Sequence, residues 1–250
     1  MKKIAFMLFS LGSITVLAQE TMPDMVPAMT EIWDPEVAVV TPGAMPSNAP
    51  SDAVILMGEG VNLEVEWTNE KGEMPQWAFE NGVATVAKGG GVIQTKRGFS
   101  DFQLHVEWRT PSEVVGESQG RGNSGIFLQG IYELQVLDNY NNRTYRNGQA
   151  GSLYKQHAPL VNVCKAPGEW QTYDVIYTAP RFREDGTYFT PPTVTVFQNG
   201  VLVQNHVSLR GPTEYIGIPE YKVKPHGDGP IVLQDHGNPV SYRNIWIREL

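Results

Sequence analysis

The sequence predicts an all-β fold, a sandwich or barrel of short antiparallel strands. Three observations carry this. Residues 101–109, DFQLHVEWR, alternate strictly between apolar and polar. Residues 193–204, TVTVFQNGVLVQ, are two β runs around Asn199-Gly200, the strongest short hairpin signal. The chain has 25 Gly and 18 Pro that punctuate such runs, and it shows no long amphipathic helix and no internal repeat.

Taken in order, residues 1–18, MKKIAFMLFSLGSITVLA, carry two lysines, a short apolar run and small residues at Val16 and Ala18. That pattern predicts a secretory signal peptide, too short to span a membrane, with no Cys placed for a lipid anchor. Export to the periplasm or beyond is the expectation. Residues 19–52, rich in Pro and Ala, predict an extended arm that lies over the domain or hangs free. Residues 53–250 predict one domain with its own core. Within it, residues 101–109 put Phe102, Leu104, Val106 and Trp108 on one face. Gln103, His105, Glu107 and Arg109 share the other, which reads as a solvent face. Residues 173–177 and 240–247 predict further strands, and residues 110–121 and 181–192 long loops. Trp170 is expected to pack at a strand entrance.

Charge and cysteine exclude whole classes of function. A net charge of −8, with no run of Lys and Arg, argues against nucleic acid as a partner. Cys164 is the only cysteine, so no intrachain disulfide can form, and nothing beside it suggests a nucleophile. No phosphate loop, nucleotide fingerprint, nucleophile elbow or Cys-rich zinc pattern is present.

The chemistry concentrates in GNSGIFLQGIYELQVLD, residues 122–138. If residues 125–138 run extended, Ile126, Leu128, Tyr132, Leu134 and Val136 form an apolar row. Phe127, Gln129, Ile131, Glu133, Gln135 and Leu137 fall on the other face, with Gly130 a candidate bulge or turn. A carboxylate and two amides among apolar side chains suit a sugar-binding groove. IVLQDHG, residues 231–237, repeats the pattern: Val232, Gln234 and His236 share one parity. The two stretches together predict one constellation of Gln129, Glu133, Gln135, Gln234 and His236. Asp138 ends the first stretch and is a further ligand or support. Asn123 can turn its loop or bind a hydroxyl, and His157 can reach a groove rim.

RGNSGIFLQGIYELQVLD, GQAGSLYKQHAPLVN, PGEWQTYDVIYTAPRF, NGVLVQNH and GPIVLQDHGNPVSYRNIWIREL together resemble a bacterial family of 3-keto-disaccharide hydrolases, also described as 3-keto-glucoside lyases and 2-hydroxy-3-keto-glucal hydratases. The resemblance covers roughly residues 53–250 in matching order. It departs at Lys155-Gln156-His157, where the family usually has Gly-Gln-aromatic. The resemblance implies a concanavalin-like jelly-roll sandwich, export, and an oxidised sugar as substrate. For such a substrate Glu133 and His236 are the candidates for base and acid, and Asn123, Gln129, Gln135, Asp138, His157 and Gln234 for substrate contacts. A divalent metal held by Glu133 and His236 would steady an enolate instead, and the sequence leaves the two roles open. The rival from another class is a non-catalytic, lectin-like module on the same fold. An ordinary glycosidase needs two facing carboxylates and ranks third.

Overall fold

A computed structural model describes residues 26–32, 34–220 and 223–250. The predicted signal peptide lies outside the described residues. The chain divides after Val39. The first unit carries one described 3-10 turn, Pro27–Met29. The second, residues 40–250, is the β domain.

Its strands begin with β1 (Val54–Met57), the four-residue helix α1 (Leu63–Glu66), β2 (Trp67–Asn69), β3 (Ala78–Glu80), β4 (Val83–Thr85) and β5 (Ile93–Thr95). The alternating run becomes β6 (Phe102–Arg109), followed by β7 (Ser124–Leu128) and β8 (Tyr132–Val136). After a long excursion come β9 (Gln171–Thr178), β10 (Arg181–Phe182), β11 (Tyr188–Thr190), β12 (Thr193–Gln198) and β13 (Val201–Ser208). The chain ends with β14 (Val232–Leu233) and β15 (Ser241–Glu249). Residues 181–192 are thus a small antiparallel ribbon, not the expected open loop.

Two antiparallel sheets make a concanavalin-like jelly-roll sandwich. The large sheet runs β13-β12-β9-β6-β15-β4-β3, with β1 pairing the far end of β15. The small sheet runs β2-β5-β14-β7-β8. Asn199 and Gly200 take the left-handed conformation that the tight β12–β13 hairpin requires.

The core lies between the sheets. Phe102, Leu104, Val106 and Trp108 are all fully buried, as are Tyr173, Tyr177, Tyr242 and Ile247 from neighbouring strands. The small sheet answers with Ile93, Ile126, Leu128, Tyr132, Leu134, Val136 and Leu233. Three tyrosines of the large sheet send hydroxyls across this core. Tyr173 donates to Gln135 O at 2.7 Å, and Tyr177 to Gln129 Oε1 at 2.7 Å. Tyr242 donates to Ser124 Oγ at 2.7 Å, and Ser124 in turn to Gln234 O at 2.6 Å. A buried hydroxyl must find an acceptor, so each tyrosine fixes a point on the small sheet.

The opposite face of β6 is not a solvent face. His105 is 1% exposed and Glu107 8%. The reason is cover: Trp246 stacks on the His105 ring at 5.3 Å, and Asn244 Nδ2 and Trp246 Nε1 both donate to Ser47 O. Arg248 pairs with Asp52 at 2.5 Å. Residues 40–52 are therefore docked on this sheet. Burial pushes the His105 pKa down, but hydrogen bonds to Asp174 and Glu107 outweigh it and hold it at about 9. Trp170 packs beneath two guanidinium groups, those of Arg109 and Arg243.

β15 is interior to the sheet, bonded to β6 on one side and to β4 and β1 on the other. Removal of residues 244–250 should therefore leave no soluble, cooperatively unfolding protein. The point variant Ile247→Ala should fold but lose about 2–4 kcal/mol in denaturant titration, because Ile247 is fully buried.

Candidate functional site

β7 and β8 form a hairpin, not one extended strand. Gln129 (φ 54°) and Gly130 (φ 69°) turn the chain, and Ile131 N donates to Leu128 O. The sorting of faces survives the reversal. The register pairs Ser124 with Val136, Gly125 with Gln135 and Phe127 with Glu133, so each partner has the same parity. Even-numbered residues of both strands face the core, and odd-numbered ones face a cavity on the far side of the small sheet.

That cavity has a volume of about 540 Å³. Its floor carries Phe127, Glu133 and Gln135, with Gln234 and His236 from the chain just after β14. Gln234 N donates to Gly125 O, which continues the ladder beyond β14. Asp235 points elsewhere: its carboxylate accepts from the backbone N–H groups of Gly89, Gly91 and Gly237, so its neighbours Gln234 and His236 take the cavity side. Asn123 and Gln119 stand beside Gln135. Tyr145, Tyr154, Lys155, Thr213 and Tyr215 complete the lining from the long loops.

Glu133 is 6% exposed. Among the described residues its carboxyl oxygens have no hydrogen-bond or ion-pair partner, and burial alone pushes its pKa up to about 8. Gly125 makes its position available. A Cβ there would stand 2.6 Å from Glu133 Oε1, so any other residue would push the carboxyl from this position. Gln135 Nε2 donates to Gln119 Oε1 at 3.1 Å and to Gly148 O at 3.3 Å. The Oε1 atoms of Gln135 and Gln234 are buried without a partner, two acceptors to which ligand hydroxyls can donate. Tyr145 and Tyr154 share a hydroxyl–hydroxyl bond of 2.6 Å. Burial raises both phenols above their ordinary range, so they are neutral donors at physiological pH.

Five of the residues singled out in the sequence thus gather here: Asn123, Glu133, Gln135, Gln234 and His236. Three do not. Gln129 is pulled into the core, where Tyr177 and the Phe99 carbonyl use both ends of its amide. Asp138 binds Arg121 at 2.6 Å and the Tyr140 N–H, and lies on a separate, smaller hollow. His157 binds Ser208 O at 2.8 Å and does not line the cavity. Gln119, Tyr145, Tyr154, Lys155, Thr213 and Tyr215 were not foreseen, because they sit in loops with no periodicity to assign them a side. Among the described residues no group of three His, Cys, Asp or Glu is placed to hold a metal ion. Among the described residues Glu133 and His236 are the only such donors lining the cavity, too few for a metal cage of three protein ligands.

A jelly-roll sandwich with a polar cavity of this size on its small sheet is the frame of a carbohydrate-active protein. The family is more particular: residues 53–248 match the 3-keto-alpha-glucoside-1,2-lyase-like domain, and the chain belongs to that family. A 3-keto-disaccharide hydrolase of Bacteroides thetaiotaomicron is 28% identical over 214 residues, which cover 74% of this chain and 70% of the relative. A candidate glycosyl hydrolase of Parabacteroides distasonis ATCC 8503 has a crystal structure with a TM-score of 0.85 and 55% identity, over 92% of this chain and 99% of that one. A second from the same organism, 21% identical with a TM-score of 0.56 over 79% of this chain and 99% of its own, shares the fold. The protein is a glycoside hydrolase-like enzyme.

The buried Glu133 has a consequence for stability. Its pKa rises from 4.5 to about 8 on folding. Between those values the folded protein holds a proton that the unfolded chain has lost, so stability falls as pH rises through that window. Glu133→Gln removes the penalty. The variant should match the wild type at pH 4 and be more stable at pH 9, by an amount on the order of a few kcal/mol, in thermal unfolding followed across pH.

Proposed function

We propose that the protein cleaves 3-keto-glucosides by elimination across C1 and C2, followed by addition of water. The observation that carries this reading is the solitary desolvated carboxyl of Glu133 at the floor of an amide-lined cavity. A ketone at C3 acidifies the proton on C2. Glu133 takes that proton, and the electron pair of the C2–H bond becomes the enolate. The enolate then expels the C1 oxygen, which collects a proton as the aglycone leaves, with His236 placed at the cavity to supply it. Water adds to C1 of the resulting 2-hydroxy-3-keto-glucal, and C2 takes a proton back. The atoms balance as a net hydrolysis.

This route needs one base of matched pKa, and a carboxyl pushed to about 8 is a far stronger base than an ordinary one. The Tyr145–Tyr154 hydroxyl pair keeps one O–H free to donate to an oxygen gaining charge, and Gln135 and Gln234 can accept from ring hydroxyls. The two-carboxylate route of ordinary glycosidases finds little support, since Glu133 is the one carboxylate among the described residues lining the cavity. A lectin-like role explains the amides and tyrosines but gives no use for a carboxyl held buried and unpaired. Export to the periplasm is part of the same proposal and rests on the pattern of residues 1–18.

The protein should be inert on unoxidised disaccharides and active on their 3-keto forms, followed by release of the aglycone. The Glu133→Gln variant should lose about a hundredfold or more in kcat. Because the base works ionised, kcat should climb with pH and level off above about 8. In heavy water the glucose-derived product should carry deuterium at C2. Full turnover with an unlabelled C2, where the free keto sugar does not itself exchange, would point instead to direct displacement at C1.

A further inference from the structure

Lys155 is an unusual residue to find where it stands. Its backbone is left-handed, φ 59°, a conformation that costs any residue with a Cβ. The fold imposes it from both sides: Lys155 N donates to Asn147 O at 2.7 Å, and Asn147 Nδ2 donates to Lys155 O at 3.2 Å. Nothing in that clamp requires a lysine, and a glycine would sit there without strain.

The side chain supplies the reason. Lys155 is the one lysine or arginine among the described residues lining the cavity. Its ammonium lies 4.5 Å from the centre of the Tyr215 ring and 5.6 Å from that of Tyr154, and it donates to the Tyr215 carbonyl. No carboxylate pairs with it among the described residues. The ammonium stands beside the 72%-exposed Tyr215, on the open side of the cavity lining. Two rings and a carbonyl hold it in place and leave its charge uncompensated.

We propose that Lys155 is a specificity-determining residue that recognises an anionic group, a carboxylate in the simplest case, on the part of the glycoside that projects from the cavity. The flanking rings of Tyr154 and Tyr215 give the neighbouring part of the ligand a surface to pack on. In a chain of net charge −8, an anionic ligand is repelled at long range, so a fixed cation on the open side decides whether it can enter. The inference rests on the cavity being the glycoside site, but not on turnover.

The test compares two glucosides that lack the C3 ketone, 4-carboxyphenyl and 4-carbamoylphenyl glucoside, by calorimetric titration of the full chain. They share shape and differ in charge. The wild type should bind the carboxylate roughly tenfold more tightly, as expected for a hydrogen bond to a charged group, and the preference should shrink as salt is added. In Lys155→Gly and Lys155→Gln the ratio should fall to near one, and in Lys155→Arg it should persist. Lys155→Gly should melt no lower than the wild type, since it relieves the backbone strain, so its loss of preference cannot be ascribed to unfolding. Lys155→Gln can still donate to the Tyr215 carbonyl, so a merely structural lysine would leave its ratio unchanged. Equal affinities in the wild type, no measurable binding of the carboxylate, or a preference that survives in the glycine and glutamine variants would each overturn the inference. Failure of the elimination chemistry reads out separately, as inactivity on 3-keto-glycosides with the charge preference intact.

Discussion

Three tyrosine hydroxyls crossing the core set the position of everything else. Tyr173, Tyr177 and Tyr242 stand on the large sheet and are fully buried. Their acceptors belong to the small sheet and the chain that continues it: the Gln135 carbonyl, the Gln129 amide, and Ser124 with its onward bond to Gln234. Apolar packing between sheets is tolerant of sliding, because Leu against Ile has no preferred register. A hydroxyl buried with one acceptor has no such tolerance. The tyrosines pin the backbone directly behind Gln135 and Gln234, whose side chains reach the other face. The cavity is thus held in place from behind, through the sheet, by residues that never touch a ligand.

This also explains what was legible in the sequence and what was not. Parity along residues 125–138 assigned Glu133 and Gln135 to one face and Ile126, Tyr132 and Leu134 to the other. It did so although the chain turns back on itself between Leu128 and Tyr132. A connection that pairs residues of like parity leaves the sorting of faces intact, so the two arrangements look the same to a count of period two. The same blindness made Gln129 look like a site residue. It has the parity of Glu133, but it sits in the turn, where a left-handed backbone aims its amide at Tyr177. His105 failed for a different reason. Alternation says which side of a strand a residue is on, and not whether a distant segment such as residues 40–52 lies over that side. The walls of the cavity, Tyr145, Tyr154, Lys155 and Tyr215, could not be read at all, since loops carry no period.

The site works against the stability of the fold at two points. Glu133 is held without a partner where burial raises its pKa to about 8, and Lys155 is held in a left-handed backbone. Neither arrangement survives by chance. Gly125 opens the room for the carboxyl, and Asn147 clamps the lysine on both sides. Strain of this kind persists only where specific neighbours over-determine it.

The small sheet ends at β8, and an end strand carries a row of unpaired backbone groups along its outer side. Here that row is taken up by the very loops that wall the cavity. Ser152 O accepts from Gln135 N, Gly151 and Tyr154 donate to the Gln135 and Glu133 carbonyls, and Thr213 bonds Glu133 N and Ile131 O. A bare β edge is a template for pairing with other chains, the first step of aggregation. Shortening these loops to widen the cavity for a bulkier sugar would uncover that edge at the same stroke. Change in ligand range is therefore confined to exchanging side chains on loops of fixed length, unless some other segment is recruited to cover the strand.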